Sequence, residues 1–229
     1  MHLAAIDERL VSYTAIRSEI VNLVPGESRR ILDVGCSNGT LGKHLKTMLA
    51  GRKVFGIEFD QSFAEVASCH LDGVVNADLN TMDWPTVLPD QIFDCMIFAD
   101  VLEHLVDPKH TLSLALERLT PGGSVIVSLP NVRHVSAFWS IFVMGVFPQR
   151  DRGLFDRTHL RWFTYSDAKA LLLDRGLKIS SESFALRWRD RGGGFLNRML
   201  NRLPLVVQRW APVREFLSYQ ICLRATVTT

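Results

Sequence analysis

The segment Ile31–Thr40 (ILDVGCSNGT) constrains the fold of this 229-residue chain more than any other stretch. An apolar strand pattern that carries an acidic residue, Asp33, leads into a turn of small residues and then into a helix pattern. Glycine has no side chain, so such a turn lets backbone groups and a helix N-terminus approach a ligand closely. The segment therefore predicts a strand, a ligand-binding turn and a helix in direct succession.

Strand and helix patterns alternate along most of the chain. Strands are predicted at 30–34, 53–58, 73–77, 91–99, 124–129, 177–186 and 219–227. Helices are predicted at 40–49, 61–70 and 166–175, between Tyr13 and Val24, and on the stripe Leu112, Ala115, Leu116 and Leu119, closed by Pro121-Gly122-Gly123. Strict alternation implies right-handed crossovers. We therefore expect an α/β fold with a doubly wound, mostly parallel seven-stranded sheet, Rossmann-like, and helices on both faces.

Polar residues follow the ends of several predicted strands. They are Asp33, Glu58, Asp78, Asp100 and Asn131. Sheets of this kind bind their ligands beyond the carboxyl ends of the strands. We therefore expect these side chains to converge on one edge of the sheet, where the ligand binds.

The composition restricts the class of protein. Hydrophobic residues make up 47% and charged residues 22%, and the length suits one sizeable core, so a single domain over residues 1–229 is predicted. The net charge of +2 gives no reason to expect a nucleic-acid partner. The cysteines are too far apart for a zinc cluster or a disulfide framework, which suits a reducing compartment. With no targeting signal or membrane-spanning run in the pattern, we expect a cytoplasmic protein.

Three chemistries use a glycine turn of this kind. Dinucleotide binding needs G-x-G-x-x-G, but Ser37 stands at the middle glycine position of that pattern. A hydrolase fits literally, since Gly35–Gly39 matches G-x-S-x-G. However, the turn follows the first strand, which leaves no earlier strand to supply the second oxyanion donor, and Asp33 has no role in that chemistry. The third chemistry, S-adenosylmethionine binding, fits best.

Residues 30–129 resemble the class I S-adenosylmethionine-dependent methyltransferases, especially the small-molecule branch that includes ubiquinone-type and sugar O-methyltransferases. The resemblance rests on the ordered blocks 32–39 (LDVGCSNG), 54–58 (VFGIE), 76–79 (NADL), 100–104 (DVLEH) and 119–123 (LTPGG). Ordered blocks at suitable spacing are far more specific than one glycine turn. Ser37 departs from the glycine that is more usual in this family, and we expect modest consequences because serine is small.

The resemblance implies a role for each matching residue, with S-adenosylmethionine as the cofactor. Asp33 would lie near the ammonium group, Glu58 would accept hydrogen bonds from both ribose hydroxyls, and Asp78 would accept from the adenine amino group. The turn would lie against the methionine part of the cofactor. The predicted cofactor-binding residues are Asp33, Gly35, Cys36, Ser37, Gly39, Glu58, Asp78, Leu79, Ala99 and Asp100.

The acceptor side is predicted from histidines. A hydroxyl acceptor must lose a proton, and histidine is the commonest general base. His104 follows the fourth strand, close to the expected methyl position, and His159 lies in a block (155–164) that resembles an acceptor-side segment of this branch. We predict His159 and His104 as catalytic residues and assign no metal ligand. Asp100, Glu103 and His104 also match an acid-x-x-Glu-His cluster that holds a divalent metal in some relatives, and that alternative stays open.

Two segments, 132–165 and 187–214, break the alternation and are predicted as helical lids on the acceptor side. The first offers Asp156, Arg157, Arg161 and, as a weaker candidate, His134 to a polar acceptor, under aromatic residues expected to pack in the core or the lid. The second segment is rich in arginine, and three alternatives stay open for it. It would rest on an anionic membrane and present a lipid-linked acceptor, or it would bind an acidic substrate. The third alternative is a helical cap or a homodimer surface.

The predicted activity is methylation of a small polar acceptor. An oxygen on a sugar of a cell-surface glycan or other polysaccharide is the first expectation. A quinone-like phenol is the alternative, and it would favour the metal and membrane hypotheses. A non-catalytic cofactor-binding protein is the competing class.

Overall fold

A computed structural model describes residues 16–88, 91–189 and 194–227. Its strands form one seven-stranded sheet in the order β3-β2-β1-β4-β5-β7-β6. The strands are β1 Arg30–Val34, β2 Lys53–Glu58, β3 Gly73–Asn76, β4 Phe93–Ala99, β5 Leu119–Pro130, β6 Leu177–Leu186 and β7 Ser218–Val227. The pairs among β1–β5 are parallel, and β7 is antiparallel to both β5 and β6. This sheet confirms the predicted α/β fold.

Helices connect the parallel strands and build the two later segments. They are α1 Ser18–Val21, α2 Thr40–Met48, α3 Gln61–Ser68, α4 Trp84–Val87, α5 Pro108–Leu116, α6 Val135–Phe138, α7 Tyr165–Leu173, α8 Gly194–Leu200, α9 Leu205–Gln208 and α10 Ala211–Leu217. A 3₁₀ turn at Leu102–His104 follows β4, and a π-helical turn at Trp139–Val143 continues α6. Among the described residues, no helix has the length and apolar character needed to cross a bilayer.

The sheet is covered on both faces, which explains its continuous apolar strands. Successive strand residues point to opposite faces. Accordingly Leu32, Met96 and Val125 belong to one buried cluster, whereas their neighbours Ile31 and Ile97 belong to the other. Because side chains pack against both faces of the sheet, its central strands are held in place, and so are the residues at their carboxyl ends.

One predicted helix end is wrong. Helix α5 ends at Leu116, and Leu119 lies opposite Phe93 in β5, where only 9% of it is exposed. The Pro121-Gly122-Gly123 sequence lies within β5, at a register shift between β4 and β5, and does not close the helix. Leu119 gains more burial from pairing with β4 than it would at a frayed helix end. The predicted N-terminal helix is shorter too, and Tyr13 lies outside the described residues.

Candidate active site

The glycine turn after β1 is held between its two neighbouring strands. The N–H groups of Gly35 and Cys36 both donate to the carbonyl of Ile57 in β2, at 2.8 and 3.0 Å. Gly35 has φ +72°, and a Cβ atom placed on it would lie 2.4 Å from Cγ2 of Val101, just after β4. Because of this contact and this φ, only glycine fits at the first turn position.

Ser37 occupies a backbone conformation that favours glycine. Its φ is +49°, in the left-handed region, which costs a non-glycine residue about 1 kcal/mol or more. Its N–H donates to Oε2 of Glu58 at 2.7 Å, while its buried hydroxyl has no hydrogen-bond partner. The departure from the usual glycine therefore places an unpaired polar atom in the turn.

Glu58 ends β2, and Asp78 lies two residues beyond the end of β3, along the same edge of the sheet. Glu58 also accepts from the N–H of Asp60 at 2.9 Å, which fixes its carboxylate while leaving further lone pairs free. Asp78 accepts from the backbone and side-chain N–H groups of Asn80, at 2.9 and 3.0 Å. Leu79 lies beside it, half-buried. We call the edge formed by Asp33, the turn, Glu58 and Asp78 the turn side.

Asp33 is the most unusual carboxyl group of the turn side. It is 2% exposed, and its Oδ2 has no hydrogen-bond partner. Burial, and then the charge of Glu58, raise the pKa of Asp33 to about 7. A buried carboxyl group without a partner is costly unless a ligand completes it. Asp33 therefore suits a cationic group bound at the turn.

Asp100 follows Ala99 at the end of β4 and has a left-handed backbone, with φ +58°. Its N–H donates to the carbonyl of Ser128 at 3.1 Å, and the Ser128 hydroxyl donates to Asp100 Oδ1 at 3.1 Å. The Arg17 guanidinium binds Asp100 Oδ2 through Nη1 and Ser128 Oγ through Nη2, the latter at 2.7 Å. No sequence pattern connects Arg17 with this site, because Arg17 lies 83 positions before Asp100.

Glu103, His104 and His159 form a compact cluster beyond β4. One ligand-type atom from each lies within 4.8 Å of the others, and the two imidazole rings are 4.7 Å apart. Glu103 is 1% exposed, and neither of its carboxylate oxygens has a partner. Burial, and then the charge of Asp100, raise the pKa of Glu103 well above its ordinary value. The structure thus brings the two predicted catalytic histidines together around a buried carboxyl group.

Backbone bonds hold this cluster together. The N–H groups of Leu160 and Arg161 donate to the carbonyl of Glu103, at 2.9 and 3.0 Å, so the segment around His159 is tied to the end of β4. Nδ1 of His104 lies 3.0 Å from the hydroxyl of Thr158. Burial, and then the nearby His104, lower the pKa of His159. A neutral imidazole is the form that accepts a proton.

The other acceptor-side candidates have structural partners. Arg157 pairs with Asp151, and Arg161 donates to the carbonyl of Val106 at 2.6 Å. His134 is fully buried, with Nε2 2.8 Å from the carbonyl of Arg187, and burial lowers its pKa to about 4. His134 therefore packs the protein interior and is not placed to bind an acceptor.

We call residues 132–165 and 187–214 the cap. Arg133, at the start of the first segment, pairs with Glu215 at 3.1 Å and lies over the Phe216 ring, so this segment is joined to α10. Phe138 stacks on Phe142, with ring centroids 5.3 Å apart, and none of the four lid aromatics belongs to a buried cluster. Between 51% and 75% of each remains exposed: Phe138, Trp139, Phe142 and Phe147. These four rings leave an exposed apolar surface, and their role as a lid stays a prediction.

Comparisons with known proteins agree with this geometry. The chain matches, over residues 15–203, the family described as "Methionine biosynthesis protein MetW". It is 28% identical over 201 residues to the ubiquinone biosynthesis O-methyltransferase of Hydrogenovibrio crunogenus, covering 85% of this chain and 76% of that protein. It spans only 35% of a 37.1 kDa transposon protein of Streptomyces fradiae, to which it is 32% identical over 122 residues.

Solved structures show the same fold at low sequence identity. A SAM-dependent methyltransferase from Archaeoglobus fulgidus superposes with a TM-score of 0.59 at 18% identity, over 98% of this chain and 92% of that one. Magnesium protoporphyrin IX methyltransferase from Synechocystis, with bound SAH, superposes with a TM-score of 0.59 at 15% identity, over 99% and 84%.

These findings confirm the predicted resemblance to class I small-molecule methyltransferases: the solved structures share the fold, and the sequence relative from Hydrogenovibrio is named an O-methyltransferase. The chain belongs to the MetW family and has the fold of the class I S-adenosylmethionine-dependent methyltransferases.

Proposed function

We propose that this protein methylates a hydroxyl oxygen of a small polar acceptor with S-adenosylmethionine. The observation that carries the proposal is the set of buried polar groups without partners along one sheet edge. Asp33 and Ser37 lie on the turn side, and Glu103 lies beyond β4 beside two histidines. A ligand that supplies a cation and hydroxyl groups at this edge would complete them.

The cofactor, when bound, supplies a methyl group carried on a positively charged sulfur. Asp33 would hold its ammonium group, Glu58 its ribose hydroxyls and Asp78 its adenine amino group. The backbone of the turn would lie against the methionine part, as only glycine permits at Gly35. The proposed binding residues are Asp33, Gly35, Cys36, Ser37, Gly39, Glu58, Asp78, Leu79, Ala99 and Asp100.

His159 is the proposed general base. Its lowered pKa keeps the imidazole neutral near pH 7, and a neutral imidazole can take the acceptor's proton. His104 packs against it at 4.7 Å between ring centroids and orients it. The cap would cover the acceptor and exclude water, which aligns the hydroxyl with the methyl group and prevents side reactions.

A metal-assisted reaction is the second candidate for the same cluster. Glu103, His104 and His159 present one carboxylate and two imidazoles, a donor set that suits a divalent transition metal. This set differs from the sequence hypothesis, because Asp100 binds Arg17 and His159 takes its place. A bound metal would lower the pKa of an acceptor hydroxyl and leave His159 as a ligand.

The acceptor itself is proposed at two levels. The general proposal is a polar compound with a hydroxyl group, and a sugar oxygen of a glycan is one specific form of it. A phenol of the quinone type is now the better supported choice, since the Hydrogenovibrio relative is named a ubiquinone biosynthesis O-methyltransferase. The exposed lid aromatics also suit an acceptor with an apolar part.

Contact with a membrane surface or a second copy is proposed for the cap. Exposed apolar side chains such as Val206 and Trp210 lie among arginines in its second segment. Apolar residues mixed with cations are typical of surfaces that rest on anionic lipid. Flotation with anionic vesicles tests the contact, and sedimentation without lipid tests the homodimer.

The cofactor proposal is tested by calorimetric binding of S-adenosylhomocysteine to the whole chain. Glu58→Gln should weaken binding about tenfold or more, because a charged acceptor is lost. Glu65→Gln, an exposed change on α3 that removes a carboxylate bonded only to Gln61, is the matched control and should bind normally. Equal binding by the Glu58 variant and the wild type would contradict the proposed orientation.

The acceptor is identified with radiolabelled methyl donor and fractionated cell extract. Label in a phenolic lipid fraction supports the quinone-type acceptor, and label in a carbohydrate fraction supports the sugar. Cofactor binding with no label in any fraction would favour a non-catalytic binding protein.

A further inference from the structure

Arg17 forms a bridge between the residue that follows β4 and the neighbouring strand β5. Its Nη1 binds the Asp100 carboxylate after β4, and its Nη2 binds the Ser128 hydroxyl in β5 at 2.7 Å. Its third donor, Nε, binds Glu19 at 3.1 Å. All three guanidinium nitrogens are therefore engaged, and the guanidinium is held in one orientation.

The segment that carries Arg17 is anchored firmly. Ile20 and Leu23, which follow it, are buried in the core cluster that also contains Cys222. The carbonyl of Arg17 accepts from the N–H of Ile20 at 3.0 Å. The side chain is therefore not a free surface group but extends from a fixed backbone across the edge of the sheet.

Asp100 borders the glycine turn. The next residue, Val101, lies close to Gly35: a Cβ atom placed on Gly35 would be 2.4 Å from Cγ2 of Val101. Asp100 is 34% exposed in its side chain even with Arg17 bound, so it still offers surface to a ligand. Asp33, which suits the cofactor's ammonium, lies in β1 two residues before Gly35.

From this geometry we infer that Arg17 is a positioning residue that neutralises Asp100 and so reduces the preference of the site for the cationic methyl donor over its neutral product. The inference rests on the proposed function, because it takes the methionine part of the cofactor to lie against the turn. Without Arg17, the Asp100 charge would attract the sulfonium fully. With Arg17 in place, the same carboxylate is shared between two cations.

The positive charge on the sulfur of the methyl donor matters because methyl transfer removes that charge. The sulfur–carbon bond breaks and leaves its electron pair on sulfur, an oxygen–carbon bond forms to the acceptor, and the acceptor's proton passes to His159. An interaction that binds the charged donor more strongly than the transition state slows this step. A paired Asp100 orients the donor and holds its charge less tightly.

The test is the ratio of two dissociation constants, for S-adenosylmethionine and for S-adenosylhomocysteine, measured by calorimetry on the whole chain. Arg17→Gln should lower this ratio about three- to tenfold, as expected for one charge a few ångströms from another in a partly exposed site. Arg17→Lys keeps the charge and should stay within about twofold of the wild type. A merely structural loss would weaken both ligands equally and leave the ratio unchanged.

Two further variants complete the design. Asp100→Asn should raise the ratio by a similar factor, and it keeps the inference testable if Arg17→Gln does not fold. Arg30→Gln removes the same charge at the opposite edge of the sheet, where Arg30 lies over the Phe55 ring, and should leave the ratio unchanged.

Three outcomes would overturn the inference: an unchanged ratio in Arg17→Gln, an unchanged ratio in Asp100→Asn, or an Arg17→Lys ratio shifted as far as that of Arg17→Gln. Failure of the wild type to bind either ligand is a different result, which would overturn the proposed function itself.

Discussion

On the turn side, contacts join residues that neighbouring strands bring together, whereas around the cap they join segments that are distant in the chain. Ser37 and Glu58 are 21 positions apart, and parallel pairing of β1 and β2 places them side by side. Asn131, just before the cap, donates to the carbonyl of Glu215, just after the cap and 84 positions later. The turn side is fixed by backbone register, and the cap by tertiary packing.

The two regions also differ in what they bury. The turn side holds polar atoms without partners inside a tightly packed edge, as at Asp33, which is 2% exposed. The cap leaves large apolar rings in solvent, as at Phe142, which is 75% exposed. A region that buries unpaired polar groups is shaped for a ligand of defined chemistry. A region that exposes aromatic rings suits contact with a membrane or protein surface, or with an acceptor that has an apolar part.

The largest expected effect is on turnover, at His159 in the first segment of the cap. His159→Asn should lower kcat about 100-fold or more, because a general base contributes at least that factor. S-adenosylhomocysteine binding should be unchanged, since His159 is not on the turn side. Methyl transfer is measured with radiolabelled donor, and His110→Asn on α5 serves as an exposed control. Unchanged turnover would remove His159 as the base.

Treatment with a chelator distinguishes a metal-assisted reaction from general-base catalysis by His159. If His159 acts as a base, wild-type turnover should stay within about twofold after treatment with EDTA. Loss of activity that a divalent metal restores would instead make Glu103, His104 and His159 a metal centre.

The next effect tests how tightly the turn side is packed. Gly35→Ala should lower the free energy of unfolding by about 2–4 kcal/mol, because it combines a positive φ with a Cβ 2.4 Å from Val101. Gly122→Ala is the matched control, with φ +74° and no atom within 4 Å, and should cost about 1 kcal/mol. Denaturant unfolding measures both. Equal costs would show that the contact with Val101 yields easily.

A third effect concerns the charge of Asp33. Its folded-state pKa of about 7 lies above its ordinary value of 3.8, so the folded protein holds a proton that the unfolded chain has lost. Stability of the ligand-free protein should therefore fall as the pH rises from about 4 to about 7. At pH 8, Asp33→Asn should be more stable by about 2–3 kcal/mol, yet bind S-adenosylhomocysteine at least tenfold more weakly.

Urea unfolding across that pH range measures the slope. Asp174→Asn, an exposed change at the end of α7, is the control and should keep the wild-type slope. An Asp33→Asn variant that keeps the wild-type slope would show that the pKa of Asp33 is not raised.

The smallest effect belongs to the cap. Phe142→Ser should change the free energy of unfolding by less than about 0.5 kcal/mol, because the ring is mostly exposed already. It should lower the fraction bound to anionic vesicles several-fold. Val66→Ser on α3, at a side chain 46% exposed, is the control. Equal vesicle binding by both variants would remove the lid aromatics from any membrane surface.

More of the turn side than of the cap could be predicted from the sequence, and the reason is physical. Strand periodicity and the glycine turn are local signals, so the positions of Asp33 and Glu58 at strand ends could be predicted, and the structure places both there. That Ser37 would have a positive φ could be anticipated from the family's usual glycine. The roles of these residues toward the cofactor stay predictions.

Arg17 and the His104–His159 contact could not be found that way. Arg17 lies in an amphipathic segment whose pattern says nothing about a partner 83 positions later. The two histidines meet because N–H groups of Leu160 and Arg161 donate to the Glu103 carbonyl, a loop contact without periodicity. The single-domain division over residues 1–229 and the roles of the cap also stay predictions.

The strand order has a consequence for how the protein is made. Strand β7 lies between β5 and β6, and β6 has no other partner in the sheet. During synthesis β6 leaves the ribosome about forty residues before β7, so the backbone N–H and C=O groups of β6 have no strand to pair with in that interval. The five parallel strands can assemble first, but the edge at β5 stays open until Ser218–Val227 has emerged. The last strand of the chain therefore completes the sheet from within, by pairing with β5 on one side and β6 on the other.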